Sequence, residues 1–377
     1  MKIIFAIDSF KGSLTSLEAG KSAAIGAKKI FPDAEIKIYP LADGGEGTCK
    51  TLTQALDGEI KTVEVVGAIG EKIFAEYGEI SPKKLAVIEM ATAAGLNLVE
   101  KNLRNPMNTT TYGVGEIILS AVKNGCRNFI IGIGGSATND CGIGMLTALG
   151  FEFLDAENKP CGIFGRDLEK ITAIKIDKVP EEIFDCKFKI ACDVKNPLTG
   201  KNGCSEIYGP QKGATPEIVR QMDSWIENFA KLTARTLKLE KISVEGDGAA
   251  GGLGFAFRSF LRGELLPGVD LILDALNIAD DLKDADLLIT GEGSIDNQTL
   301  QGKAPAGVAK LAKNLNPKIK VVAIGGSVQD IGESSSIDAV FSILRNPMNL
   351  ETAMQKNIAE KNISAVVEQI IRLGFKN

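Results

Sequence analysis

MKIIFAIDSFKGSLTSLEAGKSAAIGAKKIFPDAEIKIYPLADGGEGT, residues 1–48, alternates two hydrophobic patterns. Residues 1–7 form a short continuous apolar run, the mark of a strand buried on both faces. Residues 15–30 carry apolar side chains at helical spacing, with Ser13 or Thr15 placed to cap the first turn. A second strand is expected over 35–41, then a glycine loop and a helix over 48–56. A β-α-β-α opening of this kind favours a parallel sheet with right-handed crossovers.

Further along, the grammar changes. Residues 60–66, 74–80 and 85–91 read as three strands joined by short turns with no helix between them, which suggests antiparallel pairing. A helix over 113–124, a strand over 129–133 and a helix over 142–150 follow. Residues 151–186 are polar and irregular. Beyond them come a strand at 187–192, a long helix over 215–239 and shorter helices at 251–262 and 270–276. Simple alternation returns after residue 284, with strands at 286–290, 319–324 and 339–344 and helices at 306–314 and 350–373. The expected architecture is α/β with two unlike α/β domains. One is discontinuous, over 1–60 and 285–377, and has a parallel sheet; the other, over 61–284, is inserted and has a mixed sheet.

Composition narrows the function. Lys and Arg number 43 against 48 Asp and Glu, a formal net charge of −5, which argues against a nucleic-acid partner. Histidine is absent, which removes Ser-His-Asp and Cys-His nucleophile systems, HExxH zinc sites and every histidine base. Proton transfer is left to carboxylates, Lys, Tyr, Cys or water. The seven cysteines form no CxxC pair, so reduced thiols and a cytoplasmic location are expected. The first residues lack the long apolar core and cleavage site of a signal peptide, and no apolar run reaches the roughly 18 residues of a membrane span.

The chain holds 41 glycines, well above the usual share of roughly 7%, and they cluster. Six glycine-bearing segments fall at the ends of expected elements: 8–13, 42–48, 132–140, 246–254, 290–296 and 325–327. Four directly follow a strand, and ligands of open α/β sheets bind at the carboxyl ends of strands. Glycine loops let backbone N–H groups converge on an anion, and a following helix adds its positive end. Ser136, Thr138 and Asn139 offer further donors, while Lys11 and Lys303 offer charge complementary to phosphate or carboxylate. Asp8, Asp43, Glu46, Asp193, Glu292 and Asp296 sit in or beside these loops, which suits a divalent metal between carboxylates and phosphate.

Each feature has a plainer reading when taken singly. A Gly-Gly pair after a strand is commonly a tight turn, Asp43 and Asp140 are placed to cap following helices, Lys11 could be solvated, and Glu89 could pair with a neighbouring strand. No segment is a GxxxxGK[ST] loop, and Gly132-Ile133-Gly134-Gly135-Ser136-Ala137 is a GxGxxG fragment without its last glycine. The functional reading rests on six such loops occurring together in one acidic, histidine-free chain.

Jointly and in order, these segments resemble the glycerate kinase type I family. DSFKGS at 8–13, ADGGEGT at 42–48, GGSATND at 134–140 with GIGM at 142–145, DVKNPLTG at 193–200 with YGPQKGA at 208–214, GAAGGLG at 248–254 and TGEGSIDNQTLQGKAPAGVA at 290–309 carry the likeness. Cys141 stands where the family commonly has another glycine, and Cys204 where a small Ala or Ser is common. The resemblance implies two unlike α/β domains, one Rossmann-like, with the site in the cleft. It also implies ATP-dependent, Mg²⁺-assisted phosphorylation of glycerate, giving 2-phosphoglycerate, with glycerate and ATP as ligands; composition adds the expectation of neither nucleic acid nor membrane as partner.

On chemical grounds Lys11 is assigned to the γ-phosphate or the substrate carboxylate, and Asp193 and Asp296 to Mg²⁺ or the hydroxyl proton, with Glu292 a further metal candidate. Ser136, Thr138 and Asn139 are assigned to phosphate oxygens or substrate hydroxyls. Asp8, Ser9, Gly44, Gly45, Glu46, Gly134, Gly135, Gly252, Gly291, Gly293 and Lys303 complete the expected binding set. Rival readings are a kinase for another small hydroxy acid or sugar acid, a nicotinamide-dependent dehydrogenase using residues 132–135, and a binding protein without turnover.

Overall fold

Thr15 accepts the backbone N–H of Glu18 while the Glu18 carboxylate accepts that of Thr15, and this reciprocal cap starts the helix Ser16–Lys28. The computed structural model describes residues 1–300, 303–329 and 336–375; Gln301 and Gly302 of the 290–309 segment lie outside them. In chain order the strands are β1 (Lys2–Ile7), β2 (Glu35–Pro40), β3 (Glu59–Val66), β4 (Lys72–Ile80), β5 (Leu85–Glu89), β6 (Asn128–Gly132), β7 (Glu152–Leu154), β8 (Ala173–Lys175), β9 (Lys187–Ala191), β10 (Glu264–Leu266), β11 (Leu287–Ile295), β12 (Lys320–Val328) and β13 (Ala339–Ser342). They belong to two units, Met1–Asp43 with Val269–Asn377, and Gly44–Gly268.

The first unit is a five-stranded sheet in the order β13-β12-β11-β1-β2, parallel throughout. The helices Ser16–Lys28 and Lys356–Phe375 pack together on one face. Their approach is close: a Cβ at Gly26 would lie 2.1 Å from the Ser364 carbonyl oxygen, so only glycine fits there. Ala304–Leu315 packs on β11 and β1 and against Ile278–Leu282. Ile3, Phe5, Ile7, Leu287, Ile289 and Ile324 fill the core on the first of these faces, all almost fully buried. Successive strands run outward in opposite directions from the β1/β11 pair, which is the topological switch point of the sheet.

The second unit holds a six-stranded mixed sheet in the order β10-β9-β6-β5-β4-β3. β3, β4 and β5 pair antiparallel, as the helix-free stretch suggested, and β5, β6, β9 and β10 pair in parallel. Its core is rich in stacked and edge-on phenylalanines, including Phe129, Phe188, Phe229 and Phe260. The irregular stretch before β9 contains the small antiparallel pair β7-β8.

The structure places several elements differently from the sequence reading. β11 and β12 do not stop at their glycines: they run on through Gly291–Ile295 and Gly325–Val328, and Ser294 pairs with Ser327. Glycine permits this because a Cβ at Gly291 would lie 2.2 Å from the Ile324 carbonyl oxygen. The closing helix is two, Leu350–Ala353 and Lys356–Phe375. The helix Thr48–Ala55 packs on β4 and β5 and so goes with the second unit, whereas Gly268–Ala275 continues into the first, with Val269 against Gly307.

Candidate active site

The loop after β1 is tied down at both ends. Asp8 donates its backbone N–H to Gly291 O, and Phe10 exchanges backbone hydrogen bonds with Leu14, so residues 10–14 close a tight turn with Gly12 at φ 78°. The Asp8 carboxylate accepts the backbone N–H of Ser9 at 2.6 Å. This places Asp8, Ser9 and Lys11 at the carboxyl end of β1, next to Glu292 and Gly293 of β11, at the switch point. A cavity of about 480 Å³ opens there. Its polar lining is Asp8, Ser9, Lys11, Asp43, Glu292, Gly293 and Lys303, with Ser294 and Ser327 of the extended strands; Ile343, Leu344, Leu350 and Met354 are among its apolar lining.

The carboxylates of this pocket disfavour one another. Burial, with smaller contributions from Asp43 and Glu292, pushes the Asp8 carboxyl up to about 7. Burial also raises Glu292, although Thr299 donates its hydroxyl to that carboxylate at 2.7 Å and Lys303 lies 3.8 Å away. Among the described residues no three His, Cys, Asp or Glu side chains form a ready-made metal cluster. Magnesium needs no such cluster, because one or two carboxylates plus substrate phosphates are its usual ligands. Asp8 with Asp43 or Glu292 fits that pattern, since a cation there would relieve a half-buried set of anions.

Asp296 and Asp193 are placed otherwise. The Asp296 carboxylate accepts the Thr299 N–H at 3.2 Å and caps the short helix Asn297–Leu300. Asp193, in the second unit, accepts the Gly268 N–H at 2.9 Å. Gly291 lies inside β11, packed against Ile324.

The second unit has its own pocket, about 670 Å³, at the carboxyl ends of β5 and β6. Gly44, Gly45, Glu46, Glu89, Gly134 and Gly135 line it, with Arg104 as the cationic side chain. Glu89 accepts the backbone N–H of Cys49 at 2.7 Å, and burial raises its carboxyl. Gly47, not Asp43, precedes the helix Thr48–Ala55; glycine offers no capping side chain, and Glu89 supplies the acceptor for the first turn. Behind the pocket, residues 136–140 of this loop are interior. Thr138 and Asn139 are 0% and 1% exposed, so they support the loop from within and do not present donors outward. Asn139 donates to Ser205 Oγ at 2.9 Å. Lys212, from the YGPQKGA segment, is wholly buried and donates to Ser136 Oγ at 2.8 Å and Thr138 O at 2.6 Å. Burial depresses its ammonium to about 8.

Asp140 is 0% exposed and acts as the cap its position suggested. It accepts the Thr111 N–H and hydroxyl at 2.8 and 2.7 Å and the N–H groups of Gly142 and Gly144, at the start of the helix Ile143–Ala148. Gly251 and Gly252 have φ of 68° and 87°, and a Cβ at Gly251 would meet Thr138 O at 2.1 Å, so the GAAGGLG segment is backbone packing against this loop. Cys141, at a position where glycine is common in the family that the sequence resembles, has φ 51°. The GxGxxG fragment is not a dinucleotide turn, because the next helix begins only at Ile143. Sequence reasoning passed over Arg104 and Lys212; the closeness of Gly213 to Arg104 O, 2.1 Å from a Cβ, shows the packing that joins them.

Lysines and a glycine backbone beside carboxylates at a switch point suit the handling of phosphate. The glycerate kinase family model matches residues 3–374, so this chain belongs to the glycerate kinase family and is an enzyme of the kinase class. Curated relatives include a glycerate kinase of Halalkalibacterium halodurans, 45% identical with 97% of each chain covered, and a glycerate 2-kinase of Escherichia coli, 42% identical with all of each chain covered. A solved chain from Salmonella typhimurium LT2 assigned as a glycerate kinase 2 superposes with a TM-score of 0.91 at 42% identity, covering 99% of this chain and 98% of that one. No helix among the described residues is long and apolar enough to cross a membrane.

Proposed function

We propose that the protein transfers the terminal phosphoryl group of ATP to the 2-hydroxyl of D-glycerate, giving 2-phosphoglycerate and ADP. Family membership supports the substrate pair, and the name of the Escherichia coli relative supports the 2-position. The observation that carries the nucleotide half is the mixed lining of the pocket of the first unit. Lys11, Lys303 and the Gly293 backbone suit a polyphosphate, and Ile343, Leu344, Leu350 and Met354 suit a flat base.

Phosphoryl transfer asks the protein mainly for positioning and charge neutralisation. Lys11 and Lys303 neutralise phosphate oxygens, and Asp8 with Asp43 or Glu292 would hold magnesium. When bound, that ion offsets charge on the transferring group. With no histidine in the chain, a carboxylate of this pocket that does not hold the metal is the favoured proton acceptor. Asp193 and Asp296 we assign to shaping the loops whose N–H groups they hold.

The test is ADP release with D-glycerate, ATP and Mg²⁺, followed by identification of the phosphoglycerate formed. The 2-isomer is expected. The 3-isomer would overturn the regiochemistry, and turnover only with another hydroxy acid or a sugar acid would overturn the substrate. NADH binding without ADP release would restore the dehydrogenase reading.

A further inference from the structure

Arg104 is only partly used by the fold around it. It follows the short helical turn Lys101–Leu103 and lines the pocket of the second unit beside Gly134 and Gly135. Its guanidinium is oriented from behind: Nε donates to Val99 O at 3.2 Å and Nη2 to Leu96 O at 3.1 Å. A guanidinium has five N–H donors, so two are engaged and three have no partner among the described residues. No carboxylate of the described residues forms an ion pair with it, although Glu46 and Glu89 line the same pocket. Glu89 is instead held by the Cys49 N–H. The backbone at Arg104 is pinned by Gly213, where a Cβ would lie 2.1 Å from Arg104 O. Gly134, by contrast, has open space where a Cβ would be, so that loop can be approached closely from the pocket.

We propose that Arg104 binds the carboxylate of the acceptor substrate in a two-pronged contact and sets the specificity of the enzyme for hydroxy acids over uncharged polyols. This deepens the glycerate kinase reading and rests on it. A planar fork already oriented by two carbonyls loses little freedom on meeting a carboxylate, and a pocket whose other charged linings are acidic makes that single cation decisive. Loop backbone at Gly134 and Gly135 would face the remainder of a three-carbon acid.

The experiment compares D-glycerate with glyceramide, its uncharged analogue, in steady-state kinetics of the full chain with ATP and Mg²⁺. Arg104→Gln is expected to raise KM for glycerate roughly 10- to 100-fold and leave KM for ATP within about twofold, while changing glyceramide turnover little. Arg104→Lys, which keeps charge but not the fork, is expected to fall between. Unchanged KM for glycerate, or equal losses toward glycerate and glyceramide, would overturn the proposal. Should Arg104→Gln fail to fold, Arg104→Lys decides alone: selective loss toward glycerate supports the assignment and equal loss toward both compounds refutes it. If the wild type phosphorylates no acid at all, the kinase reading falls separately, and calorimetry of glycerate binding to wild type and variant still tests Arg104: weaker binding by the variant supports the contact, and equal or no binding by both overturns it.

Discussion

The loop after β1 and the loop after β6 are built from the same residue types, glycine, small hydroxyl and carboxylate, and serve opposite ends. The first sets its carboxylate and lysine at the wall of a cavity, where Asp8 is raised to about 7 by burial among other acids. The second turns its Thr, Asn and Asp side chains inward, where Asn139 donates to Ser205 and Asp140 accepts from Thr111, while Lys212 donates to the Thr138 carbonyl. The lesson is that a glycine loop at a strand end signals close backbone approach, and what approaches can be a ligand or another part of the chain.

The sharpest way to break this contrast is Asp8→Asn. On the proposed function it should lower kcat by roughly 10² or more while leaving the fold intact, because the carboxylate proposed to hold the metal is lost and a disfavoured buried anion is removed. Asp296→Asn, which retains an acceptor for the Thr299 N–H, should be much milder. The pH dependence follows from the same group. With its native carboxyl at about 7 against an ordinary 3.8, the folded state holds a proton that the unfolded chain releases between those values. Asp8 therefore makes stability fall as pH rises from about 4 to about 7 and adds no further change above that; thermal melts of Asp8→Asn should lack this slope. Identical pH profiles for wild type and variant would remove Asp8 from the account.

Lys212→Met tests the inward loop. It strands Thr138 O without its donor, so a loss of about 1–3 kcal/mol in denaturant unfolding is expected, with activity falling as the loop loosens. Full stability would mean that the buried ammonium is dispensable. Two glycines sharpen the comparison further. Gly251→Ala should destabilise by more than the ~1–2 kcal/mol of left-handed strain, because its Cβ would also meet Thr138 O at 2.1 Å. Gly293→Ala, whose Cβ would come no nearer than 3.6 Å to protein atoms, should melt like wild type yet bind ATP more weakly. Wild-type KM for ATP would show that no ligand approaches that strand.

Much of this architecture was legible before any coordinates. The continuous apolar runs at 1–7 and 35–41 correspond to β1 and β2, and the helix-free run of strands after residue 58 is the antiparallel part of the second sheet. Strand ends were harder to read: β11 and β12 continue through their glycines because pairing partners, not local propensity, decide where a ladder stops. The site was legible as motifs and not as roles. Asp8, Lys11, Glu292, Gly293 and Lys303 share one pocket, whereas Thr138 and Asn139 belong to the interior. Arg104 was overlooked because no glycine or repeated signal flags it within the segment 101–108.

By itself, the order of residues settled which chemistry is open to this chain: no histidine, many glycine turns and carboxylates near them, on an α/β alternation set by hydrophobic period. Only the tertiary structure decided which of those turns face a cavity and which are filled by protein. The reason is physical: burial at a loop is imposed by groups far off in the sequence, as Lys212 reaches Ser136 across 76 residues, and local pattern carries no record of that encounter.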